Sequence, residues 1–149
     1  MAGGASPAAC TPARTALSLS VHSTAPALVL DLDGTLTVEG SAERYEDVLP
    51  RAEVIEQVRR YAGEGFRIVI MTSRNMRSFN NSVGRINAET LPVAIAWLKR
   101  HGVPFDEIHV GKPWCGPGGF YVDDKAVRPS EFRDLDAAGI GALLERKKA

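Results

Sequence analysis

The sequence predicts an α/β fold, a Rossmann-like parallel sheet with flanking helices. Strand-length apolar runs, "ALVLDL" from residue 27 and "FRIVIM" over 66–71, alternate with segments of helical periodicity. Nearly continuous apolar runs are typical of strands that are covered on both faces of a parallel sheet. Polar residues follow each run directly, and ligand sites in such sheets lie beyond the carboxyl ends of the strands. The pattern therefore predicts both the fold class and the edge that carries its function.

Composition limits the class of protein. The 149 residues are 44% hydrophobic, enough for one domain with a core. The 18 basic and 18 acidic residues cancel, so net charge favours neither nucleic acid nor an anionic membrane as a partner. No apolar run approaches the roughly 20 residues that cross a bilayer. Two cysteines, Cys10 and Cys115, offer no disulfide framework and no zinc spacing. We expect a cytoplasmic protein.

The chain divides into a leader and one domain. Residues 1–25 are rich in Ala, Ser, Thr, Pro and Gly, and we predict a disordered leader there. Its apolar stretch is short and interrupted by serines, unlike a signal peptide, although a weak targeting signal or a misassigned start codon stays open. Residues 26–149 are predicted to form a single catalytic domain.

The first half of the domain is predicted to contain a strand, a helix and a second strand. After the first strand and a short polar flap, the segment 50–65 predicts a helix, with Pro50 in its first turn and glycines at its end. Its apolar positions recur at three- and four-residue spacing: Val54, Ile55, Val58 and Tyr61. The second strand, 66–71, follows.

The second half repeats this alternation. We predict a loop over 76–87, then a helix over 88–102 whose apolar face holds Leu91, Ile95 and Leu98, with Trp97 flanking that face. The remaining predicted elements are a third strand (105–110), a Gly/Pro-rich loop, a fourth strand (120–122), a helix N-cap at Ser130 and a final helix over 137–149.

Polar clusters follow three of these strands. The clusters are Asp31 and Asp33, then Thr72, Ser73, Arg74 and Asn75, and then Asp123 and Asp124, with Lys112 after the third strand. Four carboxylates at one sheet edge need a compensating charge, which a hard divalent cation bound by oxygens supplies, and Mg²⁺ is the usual one. Lys112 and the Thr72 hydroxyl would complete a pocket for a phosphoryl group. Their neighbours Ser73, Arg74 and Asn75 are candidate substrate-binding residues, and the alternative for this cluster is an exposed loop.

Each aspartate of the first cluster has a different predicted role. Asp31 is the candidate nucleophile, because carboxylates form aspartyl-phosphate intermediates. Asp33 is the candidate general acid that protonates the leaving oxygen, and afterwards the base that activates water. Gly34 permits a tight turn, and Thr35 is expected to tie that turn down. The alternative is a solvated acidic turn with no chemistry.

Four motifs carry a resemblance to a known family. In order, "DLDGTLT", "VIMTSR", "VGKP" and "YVDD" resemble the motifs of the haloacid dehalogenase (HAD) superfamily. The resemblance implies Asp31 as nucleophile and Asp33 as acid/base, with Thr72 and Lys112 binding phosphate. It also implies a Mg²⁺ site made by the Asp31 side chain, the Asp33 main-chain carbonyl and the acids of the fourth motif. Asp124 would be the direct ligand and Asp123 its indirect partner, although which of the two binds directly stays open. An aspartate at position 33 implies phosphatase or phosphotransferase chemistry.

Longer stretches resemble a narrower group. "MTSRNMRSFNNSVGRINAETLP" and "VGKPWCGPGGFYVDDKAVRPSEF" are similar to small HAD phosphatases of capsule polysaccharide biosynthesis. This implies a phosphomonoester on a sugar, a nucleotide sugar or a linked substituent. Neither interval between the motifs has room for a cap domain, so we expect an open site and, as one possibility, a homo-oligomer. The alternatives are phosphotransfer to another acceptor, a nucleic-acid 3′-phosphatase, and a non-catalytic phosphate-binding module.

Overall fold

The computed structural model describes residues 25–146 and confirms the α/β fold class. In that range three strands form one parallel sheet in the order β1 (Ala27–Leu30), β2 (Arg67–Thr72), β3 (Glu107–Val110). The arrangement is consistent with a Rossmann-like fold. The predicted leader lies outside the described residues, apart from residue 25, as do Cys10 and residues 147–149.

The helices lie between the strands and after them. Helix α1 (Ala52–Gly63) connects β1 to β2. Helix α2 (Val83–Arg85), a π-helical segment (Ile86–Thr90) and helix α3 (Leu91–Arg100) connect β2 to β3. Helices α4 (Pro129–Asp134) and α5 (Ala137–Arg146) follow the sheet, and a 3₁₀ turn (Tyr45–Asp47) lies in the flap, residues 38–48. None of the helices in the described range is long and apolar enough to span a membrane.

The strand register brings the carboxyl ends of the strands together. Leu30 pairs with Ile70, and Thr72 pairs with Val110, so the residues after each strand leave the sheet at one edge. The Ile70 side chain is fully buried in a core that α1 and α3 complete with Val58 and Trp97. This core holds the strand ends rigidly beneath the site.

The expectation that both faces of the strands are covered is wrong. Val29 is 58% exposed and Met71 is 37% exposed, and both lie on the face opposite the core. Two successive right-handed crossovers in the order β1-β2-β3 place their helices on the same face of the sheet. Burial of both faces would require later elements to cross over, and α4 instead packs against α1, where Gln57 Nε2 donates to the Leu135 carbonyl (2.7 Å).

The predicted fourth strand, 120–122, does not form. Phe120 and Val122 are 78% and 89% exposed, and no strand of the described range pairs with them. Local contacts hold the segment away from the sheet: the Tyr121 hydroxyl donates to the Pro113 carbonyl, and the Lys112 ammonium lies 4.5 Å from the centre of the Tyr121 ring. Three residues supply too few ladder hydrogen bonds to outweigh these contacts.

Several element boundaries also differ from prediction. Pro50 precedes α1 and forms an isolated antiparallel bridge with Thr37. The predicted loop 76–87 already contains α2. Trp97 is a fully buried core residue, because its indole N–H donates to the Val48 carbonyl (2.8 Å) and so has a partner inside. Ser130 lies inside α4; at the start of that helix the Arg128 N–H donates to the Glu131 carboxylate (2.6 Å).

Candidate active site

A tight turn after β1 presents the two aspartates on the same side. Leu32, between them, is fully buried, so Asp31 and Asp33 both point away from the core. The Leu32 carbonyl accepts hydrogen bonds from the N–H groups of Leu36 (2.9 Å) and Thr37 (3.1 Å). Gly34 adopts φ +74°, a conformation that favours glycine. The local sequence therefore builds a rigid loop from one buried leucine and one glycine.

The side chain that ties this turn is Thr37, where Thr35 was predicted. The buried Thr37 hydroxyl accepts from the Gly34 N–H (3.3 Å) and donates to the Leu32 carbonyl (3.4 Å). Thr35 contributes its main-chain N–H to the same carbonyl (3.4 Å). The sequence signal for Thr37 was its place directly after Leu36. Because Leu36 is buried in the core like Leu32, it brings Thr37 back to the turn.

Asp31 forms an ion pair with Lys112. Asp31 Oδ1 lies 3.4 Å from Lys112 Nζ, and both side chains are largely shielded, with 30% and 19% of their surfaces exposed. The Lys112 N–H donates to the Thr72 carbonyl (3.2 Å), which places the lysine at the carboxyl end of β2. Gly111, at φ +84°, makes the bend that allows this approach. The structure thus brings the predicted nucleophile and the predicted phosphate-binding lysine together.

Burial perturbs the titration of Asp31. Desolvation raises the pKa of its carboxyl above the ordinary value, and it outweighs the opposing effects of Lys112 and of a main-chain hydrogen bond at Leu32. Lys112 and the main-chain hydrogen bond therefore offset only part of the cost of burying the Asp31 carboxylate. Such a group is suited to receive a cation or to react as a poorly solvated nucleophile.

Asp33 has a different partner. Arg74 Nε donates to Asp33 Oδ2 (3.1 Å) and Arg74 Nη2 donates to Asp33 Oδ1 (2.5 Å), a two-pronged ion pair. The Arg74 side chain is only 1% exposed, whereas that of Asp33 is 41% exposed. Arg74 was predicted to contact substrate. In this structure its guanidinium is buried against the predicted acid/base, and Arg74 also lines the cavity described below.

The loop after β2 is held by its own polar side chains. The buried Thr72 hydroxyl accepts from the Arg74 N–H (3.0 Å). Asn75 adopts φ 62°, and its side-chain amide donates to the Thr90 hydroxyl (2.7 Å). The Thr72 main chain lies beside Lys112 and its side chain is buried, whereas the Asn75 amide is already engaged. Ser73 and Asn75 both line the cavity described below.

The structure does not bring the two acids of the fourth motif into this cluster. Asp123 and Asp124 are exposed, and Asp123 accepts a local hydrogen bond from the Lys125 N–H (2.7 Å). Within residues 25–146 no group of three or more His, Cys, Asp or Glu side chains is arranged to hold a metal ion. Asp31 offers a partly exposed carboxylate as a Mg²⁺ ligand, but the acids of the fourth motif that would complete the site do not lie with it. The residues that lie together here do not make the predicted ligand set.

A cavity of about 370 Å³ opens beside Asp33. Its walls come from the flap and from the loop after β2, and Trp114 closes one side. The volume falls in the range of small-molecule sites, about 300–1,000 Å³. The cavity presents aromatic faces, carboxylates and guanidinium groups: Tyr45, Trp114, Glu39, Glu43, Arg74 and Arg77. Sequence reasoning missed Tyr45 and both glutamates, because the position of the flap depends on contacts far along the chain.

Those distant contacts fix the flap. Trp97 Nε1 donates to the Val48 carbonyl, and Arg100 Nη1 donates to the Glu46 carbonyl (2.7 Å). Both donors are on α3, so this helix holds the flap in place over the cavity.

Comparison with solved structures gives one informative relative. A crystal structure of an MCSG target from Vibrio cholerae is 54% identical to this chain, with a TM-score of 0.80. The alignment covers 82% of this chain and 98% of that one. No protein-family model and no curated protein matches.

Proposed function

This chain belongs to the same family as the Vibrio cholerae protein, and we propose that it is a HAD-type phosphomonoester hydrolase that acts through an aspartyl-phosphate intermediate. The carrying observation is the Asp31–Lys112 pair at the carboxyl edge of the sheet, 3.4 Å apart, with Asp33 two residues away and facing a cavity. A nucleophile, a cation for phosphate oxygens and a proton carrier are the groups that phosphoryl transfer requires.

The chain's own side chains account for each step of the first half-reaction. Lys112 and the Thr72 hydroxyl bind non-bridging phosphate oxygens and thereby lower the repulsion between the phosphate and Asp31. An Asp31 carboxylate oxygen attacks phosphorus as the bond from phosphorus to the leaving oxygen breaks. Asp33 gives its proton to that leaving oxygen, so the alcohol departs neutral.

The second half-reaction returns the enzyme to its starting state. The Asp33 carboxylate takes a proton from water as the water oxygen attacks phosphorus. The bond from phosphorus to Asp31 then breaks and releases inorganic phosphate. Asp33 ends protonated and Asp31 ionised, as the cycle began.

The cofactor, substrate and setting are part of the same proposal. Mg²⁺ is the proposed cofactor, with Asp31 as the ligand already in place, and it would supply neutralisation of phosphate charge. The cavity beside Asp33 would receive the leaving group, a phosphorylated sugar, nucleotide sugar or linked substituent of cell-surface polysaccharide synthesis. Tyr45 and Trp114 offer the flat faces that sugar rings contact, and Glu39 and Glu43 offer hydroxyl acceptors. A cytoplasmic location and a homo-oligomeric state, the latter testable by analytical ultracentrifugation, remain predictions.

Phosphate release tests the proposal. The substrates are hexose phosphates, a nucleotide-linked phosphomonoester and a 3′-phosphorylated oligonucleotide, each with and without Mg²⁺. We expect turnover of a sugar-linked phosphate that Asp31→Asn abolishes. Asp134→Asn, a substitution at an exposed position of helix α4, is the matched control and should retain activity.

A second measurement identifies the intermediate. Asp33→Asn removes both the acid of the first half-reaction and the base of the second. With p-nitrophenyl phosphate, whose leaving group needs no proton, only the second half-reaction is blocked, so a phosphorylated protein should accumulate and be seen by intact-protein mass spectrometry. Absence of turnover on every substrate would refute the phosphatase, and turnover of the oligonucleotide alone would favour the end-repair alternative.

A further inference from the structure

Arg74 is the most fully buried charged side chain described at this site. With 1% of its side chain exposed, it donates to both carboxylate oxygens of Asp33. Bidentate arginine–carboxylate pairs fix the plane of the carboxylate as well as its position. Arg74 therefore determines how Asp33 is oriented.

The flap contacts the Arg74 guanidinium as well. The Arg74 guanidinium carbon lies 4.3 Å from the centre of the Tyr45 ring, a cation–π contact. Tyr45 begins the 3₁₀ turn of the flap, and α3 anchors that turn through the Glu46 and Val48 carbonyls. The orientation of Asp33 is thus coupled, through one guanidinium, to the position of the flap.

The ion pair with Arg74 leaves lone-pair sites on both Asp33 carboxylate oxygens unoccupied. A carboxylate has about four lone-pair sites, and Arg74 occupies one on each oxygen. The Asp33 side chain is 41% exposed and lines the cavity between the flap and the loop after β2. A guanidinium does not give up its proton in proteins, so proton exchange at Asp33 takes place through the remaining sites.

We propose that Arg74 is a positioning residue that, clamped by Tyr45, aims the free lone pairs of Asp33 at a leaving group bound in the flap cavity. The inference rests on the proposed phosphatase function and goes beyond it, because it assigns the arginine a role on the proton carrier and not on the phosphate. It also assigns the flap a part in leaving-group protonation.

Leaving-group dependence tests this role. A hexose 6-phosphate has an alkoxide leaving group that needs a proton, whereas the nitrophenolate of p-nitrophenyl phosphate departs without one. We expect Arg74→Gln to lower kcat/KM for the hexose phosphate by about 100-fold, the usual scale of general acid catalysis. For p-nitrophenyl phosphate we expect a loss of less than about 5-fold, since only the proton-dependent step is impaired. For each substrate, kcat/KM contains only the steps up to the first irreversible one, which is departure of the leaving group. Comparing kcat/KM between the two substrates therefore isolates that step.

A conservative variant separates orientation from charge. Arg74→Lys keeps the positive charge but cannot make the two-pronged contact. If orientation matters, Arg74→Lys stays within a few-fold of Arg74→Gln on the hexose phosphate. Arg85→Gln, which removes an exposed arginine of α2 that pairs with Glu89, is the control and should behave as wild type.

Tyr45→Ala provides an independent variant in case the Arg74 variants do not fold, as checked by circular dichroism. Because Tyr45 is 41% exposed, its loss should be tolerated. It should produce the same selective loss at a smaller size, about 10-fold, and on a small alkyl phosphate as well as the hexose phosphate, since an alkyl leaving group needs the proton but has no sugar ring for Tyr45 to contact. Equal losses on both substrates, or full recovery by Arg74→Lys, would overturn the positioning role while the wild type remains active. A wild type inactive on both substrates would instead refute the phosphatase proposal, and the inference with it.

Discussion

Replacing Asp31 by asparagine should abolish turnover and stabilise the fold at the same time. At 3.4 Å and an effective dielectric constant of about 20, Lys112 attracts the Asp31 carboxylate by about 5 kcal/mol. The pKa of Asp31 is nevertheless raised, with desolvation as the largest cause, so folding disfavours the ionised form. Asparagine keeps the shape and removes the charge. We expect a gain of about 1 kcal/mol at neutral pH, which is a rise in Tm of about 3–5 °C, and a loss in kcat of more than about 10³-fold.

The gain should depend on pH in a defined direction. The pKa of Asp31 in the folded protein lies above its ordinary value of 3.8, so the wild type loses stability as pH rises from the ordinary pKa to the folded one. The advantage of Asp31→Asn is therefore complete above the folded pKa and disappears as pH falls toward 3.8. Thermal unfolding at a series of pH values from neutral to acidic, followed by circular dichroism, measures it.

Asp33→Asn is the matched comparison, and we expect it to lower the stability of the fold where Asp31→Asn raises it. It leaves the buried Arg74 guanidinium without its anionic partner, at a cost of about 1–3 kcal/mol. An Asp31→Asn variant less stable than wild type at neutral pH would refute the argument. So would a stability gain of constant size across the pH series, since its origin would then not be the charge.

Two further substitutions probe the support of the site. Trp97→Phe removes the indole donor to the Val48 carbonyl and leaves a small void, so we expect a loss of about 2–4 kcal/mol in chemical denaturation and a raised KM as the flap loosens. Gly111→Ala places a Cβ at φ +84° and 3.1 Å from a valine methyl of α2, so it should cost about 1–2 kcal/mol and lower kcat/KM by displacing Lys112. The control Gly65→Ala has similar strain, φ +92°, with open space around the Cβ, and should affect stability but not kcat/KM. If Gly111→Ala and Gly65→Ala had equal activity, the position of Lys112 would not depend on the bend at Gly111.

The sequence alone was enough to predict the α/β class and the proximity of Asp31 and Lys112. Parallel strands end at a common edge, so residues that directly follow apolar runs must meet there, whatever the loops do. Asp31, Thr72 and Lys112 follow this rule, because each stands within two residues of a strand end. Covalent connection to a buried strand leaves such residues little freedom.

Tertiary structure decided the pairings that lie farther from a strand. The ion pair of Arg74 with Asp33 was not predicted, and it depends on a guanidinium that lies against Tyr45 of a flap that α3 anchors. The segment 120–122 has strand-like residues but is held by Tyr121 contacts, which left Asp123 and Asp124 outside the cluster. The periodicity of a segment determines its helix or strand preference. Where a long side chain finds its partner depends on the competition between contacts that only the folded chain brings within reach.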